Sequence, residues 1–244
     1  MPQMQTTQDP TGRKQVSQEA LDALRRTSTA TLSTQLFKRG LRNVFLHGIT
    51  AYNDYGTRMV GEAFTMRCIP SREDLDPLSV FEDYDHPQRA GVESVGQGQV
   101  LVIDARRQTQ AASLGHILAT RLKMRGAAGI VTDGAIRDSG DFASLDLPTF
   151  TAGSSPVTNL LQHHVVESQV PIGCAEVAVY PGDYIVGDAD GVVCIPRHLV
   201  EEVARDGAEQ ERLEDFILGK IESGRALRNT YPASPELLAE YENQ

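Results

Sequence analysis

The fold class of this chain is indicated by residues 115–138, GHILATRLKMRGAAGIVTDGAIRD. Apolar residues at roughly helical spacing predict a helix that opens at Gly115 and closes at Arg125-Gly126, since a cation and a glycine are typical of a helix C-terminus. The segment from Ala127 to Val131 is short, apolar and bounded by glycine, which predicts a buried parallel strand and then a tight turn. A helix followed by such a strand indicates an α/β domain.

The turn ends on Arg137 and Asp138, which form the first candidate site. α/β sheets usually bind ligands at the carboxyl ends of their strands, and the helix that opens at Gly115 adds unpaired N–H groups that favour an anion. We therefore predict a site for a small anion and a divalent metal, with Asp138 as the metal ligand and Mg²⁺ or Mn²⁺ as the ion. Two alternatives remain: Arg137 pairs with Asp133 or Asp138 at the surface, or Asp138 caps the following turn.

The same segment resembles the signature of the superfamily that holds the regulator of ribonuclease activity A and the metal-dependent 4-hydroxy-4-methyl-2-oxoglutarate and 4-carboxy-4-hydroxy-2-oxoadipate aldolases. That signature is a Gly-x-Leu-Leu-like turn, an Arg-Asp pair and an acid three residues further on. Here these are Gly115-His116-Ile117-Leu118, Arg137-Asp138 and Asp141. Similar stretches at residues 31–36, 59–65 and 181–193 extend the resemblance over about residues 28–215.

The resemblance implies a single-domain layered β/β/α sandwich, similar to the swivelling phosphohistidine domain, with N- and C-terminal helices. It also implies assembly as a homotrimer or homohexamer. We expect residues 1–15 to be a disordered tail, residues 16–225 to be the family's α/β domain, and residues 226–244 to be a C-terminal tail that packs on a neighbour or frays.

Individual roles follow from the matched positions. The substrate carboxylate is expected on the N–H groups of Gly115, His116, Ile117 and Leu118, while Arg137 both binds the substrate and stabilises the enolate oxygen. His116 stands where aldolases of the family place an acid, and we expect its imidazole to serve as the catalytic base. The acid-rich last helix has no evident partner in its own chain, and the resemblance implies that one of its glutamates acts across a subunit interface. Glu211 is the expected residue, with a solvated helix face as the alternative.

These roles predict a metal-dependent carbon–carbon lyase that acts on a small 2-oxo acid. Retro-aldol cleavage to pyruvate and decarboxylation of oxaloacetate share the same enolate, so one site could perform both. A metal-dependent hydratase or dehydratase of sugar acids is an alternative, in which His116 would carry a proton. A non-enzymatic inhibitor of a ribonuclease, like the family's namesake, is another.

Composition narrows the class of protein. A net charge of −10 argues against a nucleic-acid partner, and the basic cluster of Lys38, Arg39 and Arg42 is typical of a solvated helix end. No apolar run is long enough to predict a membrane span or a signal core, so we expect a cytoplasmic protein without a membrane partner. The three cysteines are widely spaced, which predicts reduced core residues.

Two further motifs contain residue types that bind metals. His163 and His164 are adjacent on an extended segment, where side chains alternate between faces, so a shared metal is not expected. Residues 188–191, DADG, resemble a calcium loop but lack its ligand spacing, and they predict a hairpin turn. Elsewhere we predict helices at 17–26, 27–37 and 199–216 or on to 223, strands at 44–50, 59–67, 98–104, 148–151, 165–170, 174–179, 184–186 and 192–195, and loops at 70–87 and 108–114.

Overall fold

The computed structural model describes residues 15–53 and 58–243. Within them the helices are α1 (Gln18–Arg26), α2 (Thr29–Lys38), α3 (Pro87–Ser94), α4 (His116–Met124), α5 (Ser139–Phe142), α6 (Val200–Glu222) and α7 (Pro235–Glu242). The strands are β1 (Thr50–Ala51), β2 (Met59–Pro70), β3 (Gln99–Asp104), β4 (Ala112–Leu114), β5 (Gly129–Ile136), β6 (Thr149–Ser154), β7 (His163–Ser168), β8 (Tyr184–Asp188) and β9 (Gly191–Ile195).

The strands form one mixed sheet in the order β1-β6-β5-β3-β2-β8-β9, with β4 beside β5 and β7 beside β2. The segment before β1 nearly closes this sheet into a barrel, because Leu46 N donates to Val192 O (2.9 Å) and Val44 O accepts from Cys194 N (2.8 Å). The predicted α/β class is confirmed. The layered β/β/α arrangement and the likeness to the swivelling phosphohistidine domain are not confirmed.

The barrel separates three apolar cores. Alternation along β3 shows the division: Val100 and Val102 point into the barrel, whereas Leu101 and Ile103 point outward beneath α3 and α4. The third core lies under α1, α2 and α6, which cover β8 and β9 on the other outer face. The two helical layers therefore lie on different parts of the barrel wall.

Strand β5 differs most from the sequence prediction. It continues past Val131 to Ile136, with an irregular register between Thr132 and Ala135. Gly134 lies in this irregularity, and a Cβ built there would be 2.6 Å from the Cβ of Ala105. The predicted tight turn is therefore wrong, because the glycine serves a close approach between strands instead of a chain reversal.

Other boundaries were wrong where elements are short. Residues 108–114, expected as a loop, contain the three-residue β4, while α3 begins at the end of the loop expected over 70–87. The strand expected at 44–50 is present only as an isolated β-bridge at Phe45 and as Thr50, the first residue of β1. The strand expected at 174–179 begins with a 3₁₀ turn, Cys174–Glu176. Elements this short carry too few residues to show a period.

The C-terminal segment folds back on α6. Leu237 of α7 is buried, Tyr241 Oη donates to Glu209 Oε1 (3.0 Å), and Glu240 pairs with Lys220 (2.9 Å). The segment expected to pack on a neighbour or to fray thus contains a helix packed against its own chain. The tail expected at residues 1–15 lies, except for residue 15, outside the described residues. Within the described ranges, each helix is too short or too polar to cross a bilayer.

Candidate active site

The site forms where two parallel strands end side by side. β4 and β5 run in the same direction, and Arg137 N donates to Leu114 O at 3.1 Å. β4 continues through Gly115 into α4, while β5 continues into Arg137 and Asp138. Parallel pairing therefore brings together the two halves of the signature.

Asp138 joins the end of β5 to the start of α4. Its Oδ2 accepts a hydrogen bond from His116 N (3.1 Å) and lies 3.5 Å from Arg137 Nε. Its backbone is left-handed, with φ 60° and ψ 43°, a conformation that aspartate tolerates better than most residues. The side chain makes no capping bond to α5. The alternative in which Asp138 caps the following turn is therefore not observed, whereas the pairing of Arg137 with Asp138 is.

The absence of a side chain at Gly115 permits this contact. A Cβ built on it would be 2.6 Å from Asp138 Oδ2 and 2.9 Å from Arg137 Nε. Any other residue would push the carboxylate and the guanidinium away from the helix start.

The start of α4 is open. Gly115 provides no side-chain cap, and among the described residues the N–H groups of Ile117 and Leu118 have no acceptor. The Ile117 residue is 80% exposed. Free N–H groups together with the helix dipole favour an anion, and the anion site expected here stays a prediction.

Two clefts meet at Arg137 and Asp138. The main cleft, of about 580 Å³, is lined by Leu78, Phe81, Gln88, Arg89, Ala112, Leu114, Gly115, Ile117, Leu118, Arg137, Asp138, Thr158 and Asn159. The polar cleft, of about 530 Å³, is lined by Ile136, Arg137, Asp138, Ser139, Ser154, Ser155 and Pro156. A small molecule in the main cleft would thus contact the cation, the carboxylate and the helix start together.

The donor set at Asp138 fits a divalent cation held by few protein ligands. The carboxylate side chain is 39% exposed and borders the polar cleft, which has room for water. Among residues 15–53 and 58–243, no three His, Cys, Asp or Glu side chains are arranged to enclose a metal. A single carboxylate completed by water and substrate is the usual setting for Mg²⁺.

His116 contributes its backbone to the contact with Asp138, while its ring lies elsewhere. The ring centre is 6.3 Å from that of Phe142, and Nε2 is 3.3 Å from Thr120 Oγ1. Asp141 lies exposed on α5. The catalytic role of His116 stays a prediction.

Glu211 lies on α6, away from Arg137 and Asp138 in the described chain. Its Oε1 accepts hydrogen bonds from Ser28 N (2.8 Å) and Ser28 Oγ (2.7 Å), at the start of α2. Burial acts to raise the pKa of Glu211, but the bonds from Ser28 and Thr31 hold it below its ordinary value. The expectation that α6 has no partner in its own chain is wrong. A role for Glu211 across an interface stays a prediction.

The two histidines point in opposite directions, as predicted. His163 is buried, its ring nitrogens have no partner in the described part of the chain, and burial lowers its pKa to about 4. His164 pairs instead with Asp76.

The DADG turn is a hairpin between β8 and β9, also as predicted. Asp188 Oδ1 accepts from Thr29 Oγ1 (2.6 Å) and Asp190 N (3.0 Å), and Oδ2 accepts from Thr29 N (2.8 Å). The carboxylate thus serves the turn and the start of α2.

Arg39 of the basic cluster pairs with Glu202 and Asp206. Cys68, Cys174 and Cys194 are free and buried, which confirms the expectation of unpaired core cysteines.

Sequence reasoning missed several residues that line the main cleft, among them the polar residues Arg89 and Asn159. Arg89 lies in the first turn of α3, and Asn159 begins the 3₁₀ turn before β7. They are far apart in the chain and belong to no recognisable motif, so only the fold shows that they share a cleft.

Comparison with known proteins gives a family match over most of the chain. Residues 29–194 match the family model of RraA-like proteins, described as Aldolase/RraA. A Halalkalibacterium halodurans protein named "Putative 4-hydroxy-4-methyl-2-oxoglutarate aldolase" is 35% identical over 53% of this chain, and the match spans 63% of that relative. A Photobacterium profundum protein of the same name is 34% identical over 58% of this chain and 79% of its own length.

Solved structures show the same fold. An uncharacterized protein from Pseudomonas syringae superposes with a TM-score of 0.76 at 27% identity, covering 88% of this chain and 98% of its own. Streptomyces coelicolor RraAS2, described as an unusual member of the RNase ES inhibitor RraA family, has a TM-score of 0.73 at 31% identity, over 83% of this chain and 97% of its own.

Proposed function

This chain belongs to the RraA-like family, and from that premise we propose that it is a divalent-metal-dependent carbon–carbon lyase acting on a small 2-oxo acid. The observation that carries the proposal is the Arg137–Asp138 pair, held against the open start of α4 at the mouth of a 580 Å³ cleft. The names of the two bacterial relatives, both aldolases of a 2-oxo acid, support the carbon–carbon lyase part of the proposal.

The substrate carboxylate binds the N–H groups of Ile117 and Leu118, which face outward from the first turn of α4. Asp138 holds the divalent cation, which when bound supplies Lewis-acid polarisation of the 2-oxo group. The hydrogen bond from His116 N and the neighbouring Arg137 orient the Asp138 carboxylate.

Arg137 acts during bond cleavage. As the carbon–carbon bond breaks, its electrons move toward the 2-oxo oxygen, and the guanidinium stabilises the charge that develops there. One preorganised donor of this kind contributes about 3–4 kcal/mol in comparable sites. Cleavage to pyruvate and decarboxylation of oxaloacetate both need this stabilisation. His116 is the proposed base: in aldol cleavage it takes the 4-hydroxyl proton as that carbon becomes a carbonyl, and a proton added to the enolate then gives pyruvate. The active assembly is a homotrimer or homohexamer.

The test is pyruvate release from a panel of 4-hydroxy-2-oxo acids and oxaloacetate, before and after exhaustive chelation. We expect activity on at least one compound, loss of it with the chelator, and recovery with Mg²⁺ or Mn²⁺. Undiminished activity after chelation would show that the metal requirement is wrong, and inactivity throughout the panel would contradict the lyase.

The likeness to RraAS2 favours a second candidate, a protein that binds and inhibits a ribonuclease. Stoichiometric addition of this protein to an RNase ES cleavage assay distinguishes the two candidates. Inhibition that survives Asp138→Asn would support the second, because a binding surface does not need the metal ligand.

A further inference from the structure

The main cleft contains a second cation outside the signature. Arg89 is half-buried, and its guanidinium carbon lies 5.2 Å from the ring centre of Phe81, another cleft residue. Within residues 15–53 and 58–243, no carboxylate lies within 4.0 Å of this guanidinium. Stacking on Phe81 occupies a face of the guanidinium and leaves its N–H edge for an anion.

An unsatisfied amide lies in the same cleft. Asn159 is only 6% exposed, and its Nδ2 is buried without a hydrogen-bond acceptor among the described residues. Its Oδ1 accepts from Thr158 Oγ1 (3.4 Å), so the amide group is oriented by its neighbour. Buried donors in folded proteins nearly always have a partner. Because Asn159 lines the main cleft, its unpaired Nδ2 is a candidate donor to a ligand oxygen there.

We propose that Arg89 and Asn159 form a second anion subsite, which recognises an anionic group at the far end of the substrate from its 2-oxo acid. The proposal rests on the proposed function, because Arg137 and α4 hold the first carboxylate. The carbon chain between the two groups lies along the apolar cleft wall that includes Phe81, Leu114 and Leu118. The far group is a carboxylate or a phosphate, since a planar guanidinium with an added N–H donor binds either.

The experiment measures binding by calorimetry with Mg²⁺ present. Oxalate and pyruvate probe the first subsite alone. 2-Oxoglutarate and 3-phosphohydroxypyruvate add a far carboxylate and a far phosphate. The variants are Arg89→Met, which keeps the stem on Phe81, and Asn159→Asp, which replaces the donor with a negative charge. Arg121→Met is the matched control, since Arg121 pairs with Glu93 and does not line the main cleft.

We expect wild type to bind at least one two-ended compound about 10-fold more tightly than pyruvate, or about 1.4 kcal/mol. Arg89→Met and Asn159→Asp should each bind that compound about 10-fold more weakly than wild type and bind oxalate with unchanged affinity. Arg121→Met should leave both affinities unchanged. The two-ended compound that both variants bind more weakly than wild type does identifies the far group as a carboxylate or a phosphate.

Three outcomes would overturn the subsite. The first is equal weakening of oxalate and the two-ended compounds, because Arg89 would then act on the first carboxylate or on the fold. The second is wild-type affinity of both variants for every compound. The third is a failure of the wild-type protein to bind oxalate in the presence of Mg²⁺. That result would contradict the proposed function itself and, with it, the subsite.

Discussion

Two helices of this protein start beside an aspartate. The two helix starts differ in how many of their backbone N–H groups have a hydrogen-bond acceptor. At α2, Thr29 N donates to Asp188, Ser28 N donates to Glu211, and Thr31 N donates to Ser28 Oγ (3.1 Å). At α4, His116 N is the only N–H of the first turn with a side-chain acceptor among the described residues; the acceptor is Asp138, and Gly115 offers no cap. Both starts carry the positive end of a helix dipole.

The difference separates structural acids from functional ones. At α2, Asp188 and Glu211 accept hydrogen bonds from backbone N–H groups that have no partner within the helix, so these two acids stabilise the fold. The acid at α4 leaves neighbouring N–H groups free at a cleft, so we propose that it serves binding. The comparison makes four predictions, from the largest expected effect to the smallest.

Replacing the two aspartates by asparagine should have opposite consequences. Asp138→Asn should reduce metal-dependent turnover by at least about 10³-fold, since cation stabilisation of developing charge is worth several kcal/mol, with little change in Tm. Asp188→Asn should lower the free energy of unfolding by about 1–2 kcal/mol and leave turnover per folded molecule unchanged. Pyruvate release measures turnover and thermal unfolding measures stability, each for both variants. If the two variants behave alike, the distinction between the two starts is wrong.

Arg137→Ala should lower kcat by about 10²- to 10³-fold and raise KM much less, because the charge that it meets develops during cleavage. Arg137→Lys should recover little activity, since lysine lacks the planar fork. Steady-state kinetics on the best substrate of the panel separates the two parameters. A variant that loses only affinity would identify Arg137 as a substrate clamp.

Gly115→Ala tests the close contact at α4. Its new Cβ would displace the Asp138 carboxylate, and a misplacement of about 1 Å costs on the order of 10²-fold in rate. Gly140→Ala is the matched control, because a Cβ at Gly140 meets nothing within 4 Å. The control should keep wild-type kcat/KM. Equal activity of the two variants would show that the site tolerates a shifted carboxylate.

Glu211→Gln should reduce the free energy of unfolding by about 1 kcal/mol, the usual value of a helix-capping contact. The pKa of Glu211 is held below its ordinary value, so the ionised form stabilises the fold above the unfolded pKa, and this stabilisation is lost as pH falls through the folded pKa. The difference between wild type and variant should therefore be present at pH 7 and shrink below about pH 4. Urea unfolding at both pH values measures it.

The same variant tests the predicted interface role. If a neighbouring chain supplies Glu211 to the site, mixed oligomers of Asp138→Asn and Glu211→Gln should regain part of the activity lost by each. Wild-type turnover of Glu211→Gln, or no recovery after confirmed subunit exchange, would restrict Glu211 to capping α2.

Local sequence pattern was sufficient for the long elements. α1, α2 and α6 begin and end within about two residues of the expected positions, since each repeats its apolar period over several turns. The 184–195 hairpin is also as expected, because a turn of aspartates and glycine separates two apolar runs. Short β4, the bulge at Gly134 and the role of α7 were not predictable, because each depends on a partner distant in the chain.

The sequence by itself determined the α/β class, the helix start at Gly115 and the identity of Arg137 and Asp138 as the candidate pair. These depend on local periods, on glycine and on short motifs, which are visible in one segment. Only the tertiary structure decided that the sheet nearly closes into a barrel, that Glu211 is bound to Ser28, and that Arg89 and Asn159 share a cleft with the pair. Such relations arise when strands pair and helices pack, and side-chain partners are then set by distance in space instead of distance along the chain.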